Sequence, residues 1–190
     1  MKTQTLFRLG ALAAILTAVG FGVGESIYLF GDVETVFFAW IFIIVSVFQV
    51  FAVISLYVAQ AKRGEIFTFI GFVLSIIGLL LNFMDSERRM ALRTGLATQV
   101  LLEQAQSITS FLVLNAVMYW STILGYIIFG FGTFRAGVFP RWTGILFLLV
   151  GVVLIFRDIT GVEYIFAVLS VIAWGSLGWF LWKNPTSPEP

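Results

Sequence analysis

VFFAWIFIIVSVFQVFAVISLYVAQ, residues 36–60, contains no charged side chain. A helix of about 20 mainly apolar residues is long enough to cross the hydrocarbon core of a bilayer. The regular alternation of apolar and polar residues that marks the strands of a membrane β-barrel is absent from this run. The segment therefore predicts a transmembrane helix.

Five further segments have the same character, and together they predict six spans, at residues 6–30, 36–60, 66–84, 108–134, 142–159 and 162–182. Of the 190 residues, 60% are hydrophobic and 11% charged, against about 45–50% and about 25% in soluble domains. We therefore expect an all-α integral membrane bundle of six helices as a single domain over residues 1–183. By composition, residues 184–190 form a short disordered cytoplasmic tail.

The connection between the third and fourth spans, residues 85–107, is longer and more polar than the others. Apolar residues recur within it at roughly helical spacing, including Met90, Leu96 and Val100. This pattern predicts either an extracytoplasmic amphipathic helix on the membrane surface or a helical extension of a neighbouring span. A solvated connector without a special role is the alternative.

The basic residues set the orientation, because cytoplasmic loops carry an excess of lysine and arginine. With a cytoplasmic N-terminus, seven of the eleven basic residues lie inside: Lys2, Arg8, Lys62, Arg63, Arg135, Arg141 and Lys183. The other four lie outside: Arg88, Arg89, Arg93 and Arg157. We therefore expect both termini in the cytoplasm. The alternative for the first span is a signal peptide cleaved at residues 18–20.

Small residues recur at every fourth position of the first span: Gly10, Ala14, Ala18 and Gly22. Such a face lets another helix backbone approach closely, which favours helix association in a membrane. We expect this face to pack within one bundle. Its use by a second copy of the chain, or by another membrane protein, is the alternative.

Tryptophan residues occur at two kinds of position. Three lie near predicted span ends, where amphipathic rings are expected at the membrane interface: Trp142, Trp179 and Trp182. The other three lie deeper, and we expect them to pack inside the bundle: Trp40, Trp120 and Trp174.

Polar side chains within the spans are costly in lipid, so each is a candidate for function. Five form the candidate intramembrane polar site: Glu25, Gln49, Asn115, Tyr119 and Arg157. In a compact bundle Glu25 would pair with Arg157. Asn115 and Tyr119, which share a helical face, would line a small polar cavity. Alternatively, Gln49 and Asn115 tie helices together by hydrogen bonds, and the charged groups mark the interface.

Composition excludes several kinds of chemistry. The chain has no cysteine and no histidine, which removes thiolate, iron–sulfur and most zinc and haem sites. It also lacks a Walker loop, an HExxH motif and a Ser–His pair. The net charge of +1 gives no basic surface for nucleic acid. We expect no catalytic residues, no metal and no cofactor.

Residues 125–155 read GYIIFGFGTFRAGVFPRWTGILFLLVGVVLI. The loop FRAGVFPRW at residues 134–142 resembles a loop close to FRSGLIPRW in a large, mainly prokaryotic family of six-span membrane proteins. That family is known only as a domain of unknown function, number four-three-eight-six. Arg8 before the small-residue helix, and Glu163 and Trp174 in the last span, are also similar. The resemblance implies the six-span fold and a prokaryotic cytoplasmic membrane, but no activity.

The same loop has a physical rationale of its own. Gly137 permits a turn that other residues rarely adopt, and Pro140 suits the start of a helix.

Three functions are compatible with these features. A non-enzymatic scaffold or accessory subunit of a larger membrane assembly comes first. A small transporter or binder of an apolar or weakly polar ligand, using the candidate polar site, comes second. A membrane-embedded enzyme comes third, because no pair of carboxylates lies at depth.

Overall fold

The computed structural model of the chain describes residues 3–30, 36–63, 66–93, 109–157 and 159–183. These ranges contain no strand and six helices: α1 Thr3–Phe30, α2 Val36–Gln60, α3 Ile66–Arg93, α4 Thr109–Ala136, α5 Arg141–Ile155 and α6 Val162–Lys183. Five of the helices are long and apolar enough to cross a membrane. The predicted all-α fold is confirmed for these ranges. The predicted tail at 184–190 lies outside them.

The fifth helix is shorter than predicted, because α5 ends at Ile155 and not at Ile159. The Phe156 N–H donates to the Val153 carbonyl (3.0 Å) and the Arg157 N–H to the Leu154 carbonyl (3.3 Å). Each of these bonds joins residues that are three apart, and not four as in an α-helix, so the last turn is tighter and the helix ends there. With 15 residues, α5 is about 22 Å long, which is less than the hydrocarbon thickness of about 30 Å.

The third helix is longer than its predicted span, since α3 continues from the predicted end at Met84 to Arg93. For residues 85–93 the structure therefore agrees with a helical extension of the third span. The rest of the predicted amphipathic connection, residues 94–107, lies outside the described residues.

The six helices form a closed ring, in which each packs on its neighbours in the chain and α6 returns to α1. Successive helices run in opposite directions. We call the end at which α2, α4 and α6 begin the Arg157 end, and the opposite end the Arg8 end. Large buried apolar side chains fill the ring toward the Arg8 end, among them Phe7, Leu56, Phe129, Phe147 and Leu177.

The seam between α3 and α4 is a close contact in the ring, where glycines face the partner backbone. A Cβ atom on Gly71 would lie 2.6 Å from the Phe129 Cα, and one on Gly132 would lie 2.9 Å from the Thr68 Cα. Gly78 and Gly125 approach the partner helix in the same way. On each helix the two glycines are seven residues apart, which is close to two turns and keeps them on one face.

The small-residue face of α1 is used within the chain. Gly10 contacts Ser55 of α2, Ala14 and Ala18 are buried, and a Cβ on Gly22 would lie 3.5 Å from Val171 of α6. The face therefore sits between α2 and α6. The use of this face by a second copy of the chain, or by another membrane protein, stays a prediction.

Two of the three deep tryptophans are not inside the bundle, contrary to prediction. Trp174 is buried at 1% exposure, but Trp40 and Trp120 are about half exposed on the outer surface. Both lie toward the Arg157 end, because Trp40 is in the first turns of α2 and Trp120 is level with the end of α5. Trp142, Trp179 and Trp182 are also about half exposed, at the Arg8 end.

The loop between α4 and α5 has the predicted turn. Gly137 has a φ of 61°, a left-handed conformation that favours glycine. Pro140 immediately precedes α5, and its carbonyl accepts the Thr143 backbone N–H at 2.9 Å and the Thr143 hydroxyl at 2.7 Å.

Candidate functional site

A central cavity of about 390 Å³ lies within the ring toward the Arg157 end. Each of the six described helices contributes to its wall, and Arg157 follows α5. In the order α1 to α6 the contributing residues include Phe21, Gln49, Leu79, Tyr126, Leu154 and Phe166. Its volume falls in the range of about 300–1,000 Å³ that small-molecule sites occupy.

The predicted ion pair is present at the mouth of this cavity. The Arg157 Nη2 donates to both Glu25 carboxylate oxygens, each at 2.9 Å. Glu25 is 1% exposed, and the Arg157 side chain is 28% exposed. The pair joins α1 to the end of the short helix α5. Since opposite charges neutralise each other, this part of the site carries no net charge from the two residues.

Aromatic rings hold the arginine on either side. The Arg157 guanidinium carbon lies 5.1 Å from the Tyr28 ring centre and 4.8 Å from the Phe166 ring centre. Both distances are within the range of cation–π attraction. The guanidinium is therefore fixed by three contacts while it lines the cavity.

A buried amide and a buried phenol form the floor of the cavity. The Gln49 Nε2 donates to the Tyr126 hydroxyl at 3.0 Å, and the two residues are 2% and 9% exposed. The Tyr126 ring packs against Phe147 and Trp174, with ring centres 6.0 and 6.3 Å away. Below this layer the aromatic core closes the ring.

Tyr119 also lines the cavity, but it does not act with Asn115 as predicted. The Tyr119 hydroxyl donates to the Leu154 carbonyl at 3.1 Å, which also accepts the Arg157 N–H in the last turn of α5. Asn115 is half-buried and is not among the described residues that line the cavity.

Of the five predicted site residues, Gln49, Tyr119 and Arg157 thus line one cavity, Glu25 binds Arg157 from behind it, and Asn115 lies apart. Near the mouth, Glu163 is half-buried in the first turn of α6. Asp158 is outside the described residues.

Sequence reasoning missed Tyr126, although a signal was present. Tyr126 follows Tyr119 by seven residues, which places both on one face of α4. Asn82 and Thr122 also line the cavity. Asn82 lies near the predicted end of the third span, where a polar residue is ordinary. The Thr122 hydroxyl donates to the Met118 carbonyl of its own helix at 2.8 Å, and a threonine that bonds in this way is tolerated within a membrane helix.

The described residues contain no group of three or more Asp, Glu, Cys or His side chains placed to hold a metal ion.

No family model, curated protein or solved structure matches the chain. The resemblance of residues 134–142 to the six-span family stays a prediction.

Proposed function

We propose that the chain is a six-span protein of a prokaryotic cytoplasmic membrane, with both termini inside. The first support is the outer surface of the ring, which consists largely of exposed apolar side chains such as Val19, Phe51, Leu80 and Val168. Lipid is the medium that accepts such a surface without cost.

Charge supports the orientation. Six basic residues of the described ranges are exposed at the Arg8 end: Arg8, Lys62, Arg63, Arg135, Arg141 and Lys183. At the opposite end lie four basic residues: Arg88, Arg89 and Arg93 in the last turns of α3, and Arg157, which is half-buried and paired with Glu25. An excess of exposed positive charge is typical of the cytoplasmic side.

The tryptophans support the same placement. Exposed tryptophans lie toward both ends of the ring, at Trp40 and Trp120 on one side and at Trp142, Trp179 and Trp182 on the other. Two such belts are typical of the two interfaces of a bilayer.

Within this membrane protein, we propose that the central cavity binds a small, neutral, weakly polar ligand, for storage, sensing or transport. The observation that carries this proposal is the cavity of about 390 Å³ lined by all six helices. Its wall combines aromatic rings with a few fixed polar groups, which is the usual composition of a small-molecule site.

Cysteine labelling tests the cavity directly, because the natural chain has no cysteine. We expect a maleimide to label Met118→Cys, which lines the cavity, in membranes, and we expect bound ligand to slow the reaction. Leu177→Cys is the matched control, because Leu177 is fully buried in the Arg8 half and should not react. A Met118→Cys variant as unreactive as the control would contradict an accessible cavity.

A scaffold or accessory-subunit role ranks second, because it makes no use of the cavity. It predicts that a partner co-purifies in stoichiometric amount after extraction in mild detergent. An enzymatic role ranks third. The buried carboxylate of Glu25 has an arginine as its partner, and an arginine keeps its proton, so the pair offers no proton transfer.

A further inference from the structure

We propose that the central cavity selects ligands that carry a carbonyl group, because the floor of the cavity presents a hydrogen-bond donor. This inference rests on the proposed function, since it names the chemical class of the ligand that the cavity takes. It is drawn from the hydrogen bond that Gln49 donates to Tyr126 at the floor, and from the neutralised charges of Glu25 and Arg157 at the mouth.

The donor is the Tyr126 hydroxyl. Its oxygen accepts the Gln49 N–H at 3.0 Å, so its own O–H is left to donate. None of the hydrogen bonds between described residues uses this O–H as a donor. Tyr126 and Gln49 are both more than nine-tenths buried, and both line the cavity.

A buried donor without an acceptor is costly, so it favours a ligand that brings one. A carbonyl oxygen accepts and cannot donate, and it therefore complements a floor that presents an O–H.

The mouth of the cavity argues against a charged ligand. Glu25 neutralises the Arg157 guanidinium at 2.9 Å, so an anion would enter without a free counter-charge from this pair. Burial of an unpaired charge is expensive. Half of the other described lining residues are aromatic, with Phe21, Phe42 and Phe166 among them. A ring system with a ketone or quinone carbonyl matches both the wall and the floor.

Benzophenone and diphenylmethane form a matched pair of probes, since they differ only in the carbonyl group. Benzophenone also reports its own position, because near-ultraviolet light bonds it to a neighbouring C–H group. The purified full-length chain in detergent would be irradiated with increasing benzophenone, and the labelled residues found by peptide mass spectrometry. Diphenylmethane would serve as the competitor.

We expect saturable labelling of cavity residues, with benzophenone bound more tightly than diphenylmethane. In Tyr126→Phe the affinity for benzophenone should fall by roughly three- to tenfold, as expected for loss of one hydrogen bond. The affinity for diphenylmethane should stay within about twofold, which corresponds to a negligible energy difference. Tyr57→Phe is the matched control, because Tyr57 stacks on Phe72 at 4.4 Å in the Arg8 half and should leave both affinities unchanged.

Two results would overturn the inference, and they differ in meaning. Saturable labelling with equal affinity for both probes, or with no loss in Tyr126→Phe, would remove carbonyl selection and leave the binding function standing. No saturable labelling of cavity residues in any variant would count against both. The comparison of the two probes on the natural chain decides the question even if Tyr126→Phe does not fold.

Discussion

At the scale of single residues, the pair of Glu25 and Arg157 joins α1 to the end of α5. Glu25 is nearly inaccessible at 1% exposure, and Arg157 reaches it from the turn after α5. The sequence predicted this pair, because the two charges of opposite sign lie at the same end of the predicted spans. The sequence did not show that Arg157 also lies between Tyr28 and Phe166, since that geometry depends on how α1 and α6 meet.

Removal of the arginine should be more harmful than removal of both charges. Arg157→Leu leaves the Glu25 carboxylate buried without a partner, and we expect it to lower the free energy of unfolding by about 3 kcal/mol. The double variant Glu25→Leu with Arg157→Leu should recover most of this loss, because it leaves no buried charge. Thermal unfolding in detergent, monitored by circular dichroism, measures the stability of the single and the double variant.

The control for that pair is Arg141→Leu, because Arg141 is exposed at the Arg8 end and should change stability by less than about 0.5 kcal/mol. An Arg157→Leu variant as stable as Arg141→Leu would show that the ion pair contributes nothing to the fold.

At the scale of helices, the sequence predicts where most apolar segments begin and end, but it does not show which faces of the helices pack together. The predicted start and end of α2, Val36 and Gln60, match the structure. The predicted end of α5 is four residues too late, because apolar residues stand on both sides of Arg157 and Asp158, at Phe156 and Ile159. The turn that brings Arg157 to Glu25 is therefore not visible from hydropathy alone. Hydropathy shows which segments are apolar enough for a membrane helix, but it does not show where within such a segment the helix ends.

The seam between α3 and α4 shows the same limit. The small-residue stripe of α1 was visible because its members recur every four residues. The glycines of the seam recur every seven residues, and their partners include a large residue, Phe129. Only the partner helix reveals that Gly71 and Gly132 lie against a backbone.

Two glycine substitutions test this seam. A Cβ on Gly125 would lie 2.7 Å from the Ser75 backbone nitrogen, whereas one on Gly175 would meet only the Ala18 Cβ, at 3.7 Å. We expect Gly125→Ala to cost about 1–3 kcal/mol through overpacking. Gly175→Ala should be neutral or stabilising by up to about 1 kcal/mol, because alanine is the better helix former. Equal thermal stability of the two variants would be incompatible with a close α3–α4 contact.

At the scale of the whole molecule, composition indicated the general architecture and left the cavity hidden. An apolar chain with six long runs predicts a helical membrane protein, because lipid accepts the exposed side chains. The closed order of the ring and the position of the cavity depend on which helix faces which. The contact of Gly10 with Ser55 joins α1 to α2, and the bond between Gln49 and Tyr126 lies at the floor of the cavity. Neither pair stands out in the sequence.

Membrane extraction tests whether the chain is an integral membrane protein. The chain should remain in the membrane fraction after an alkaline carbonate wash, because transfer of its exposed apolar surface from lipid to water is unfavourable. Western blotting of pellet and supernatant measures the distribution. Release into the supernatant as a monodisperse protein would exclude an integral membrane fold.

The most direct test of the central claim, that six membrane-crossing helices enclose the cavity, asks whether the short helix α5 crosses. Single cysteines would be introduced at Val138 before α5 and at Thr160 after it, with Ala61→Cys between α2 and α3 as the reference for one side. A membrane-impermeant maleimide would then be applied to right-side-out and inverted vesicles. The account predicts that positions 61 and 138 react in inverted vesicles and position 160 in right-side-out vesicles. Reaction of 138 and 160 from the same side would show that α5 does not cross and that the ring does not close in the membrane.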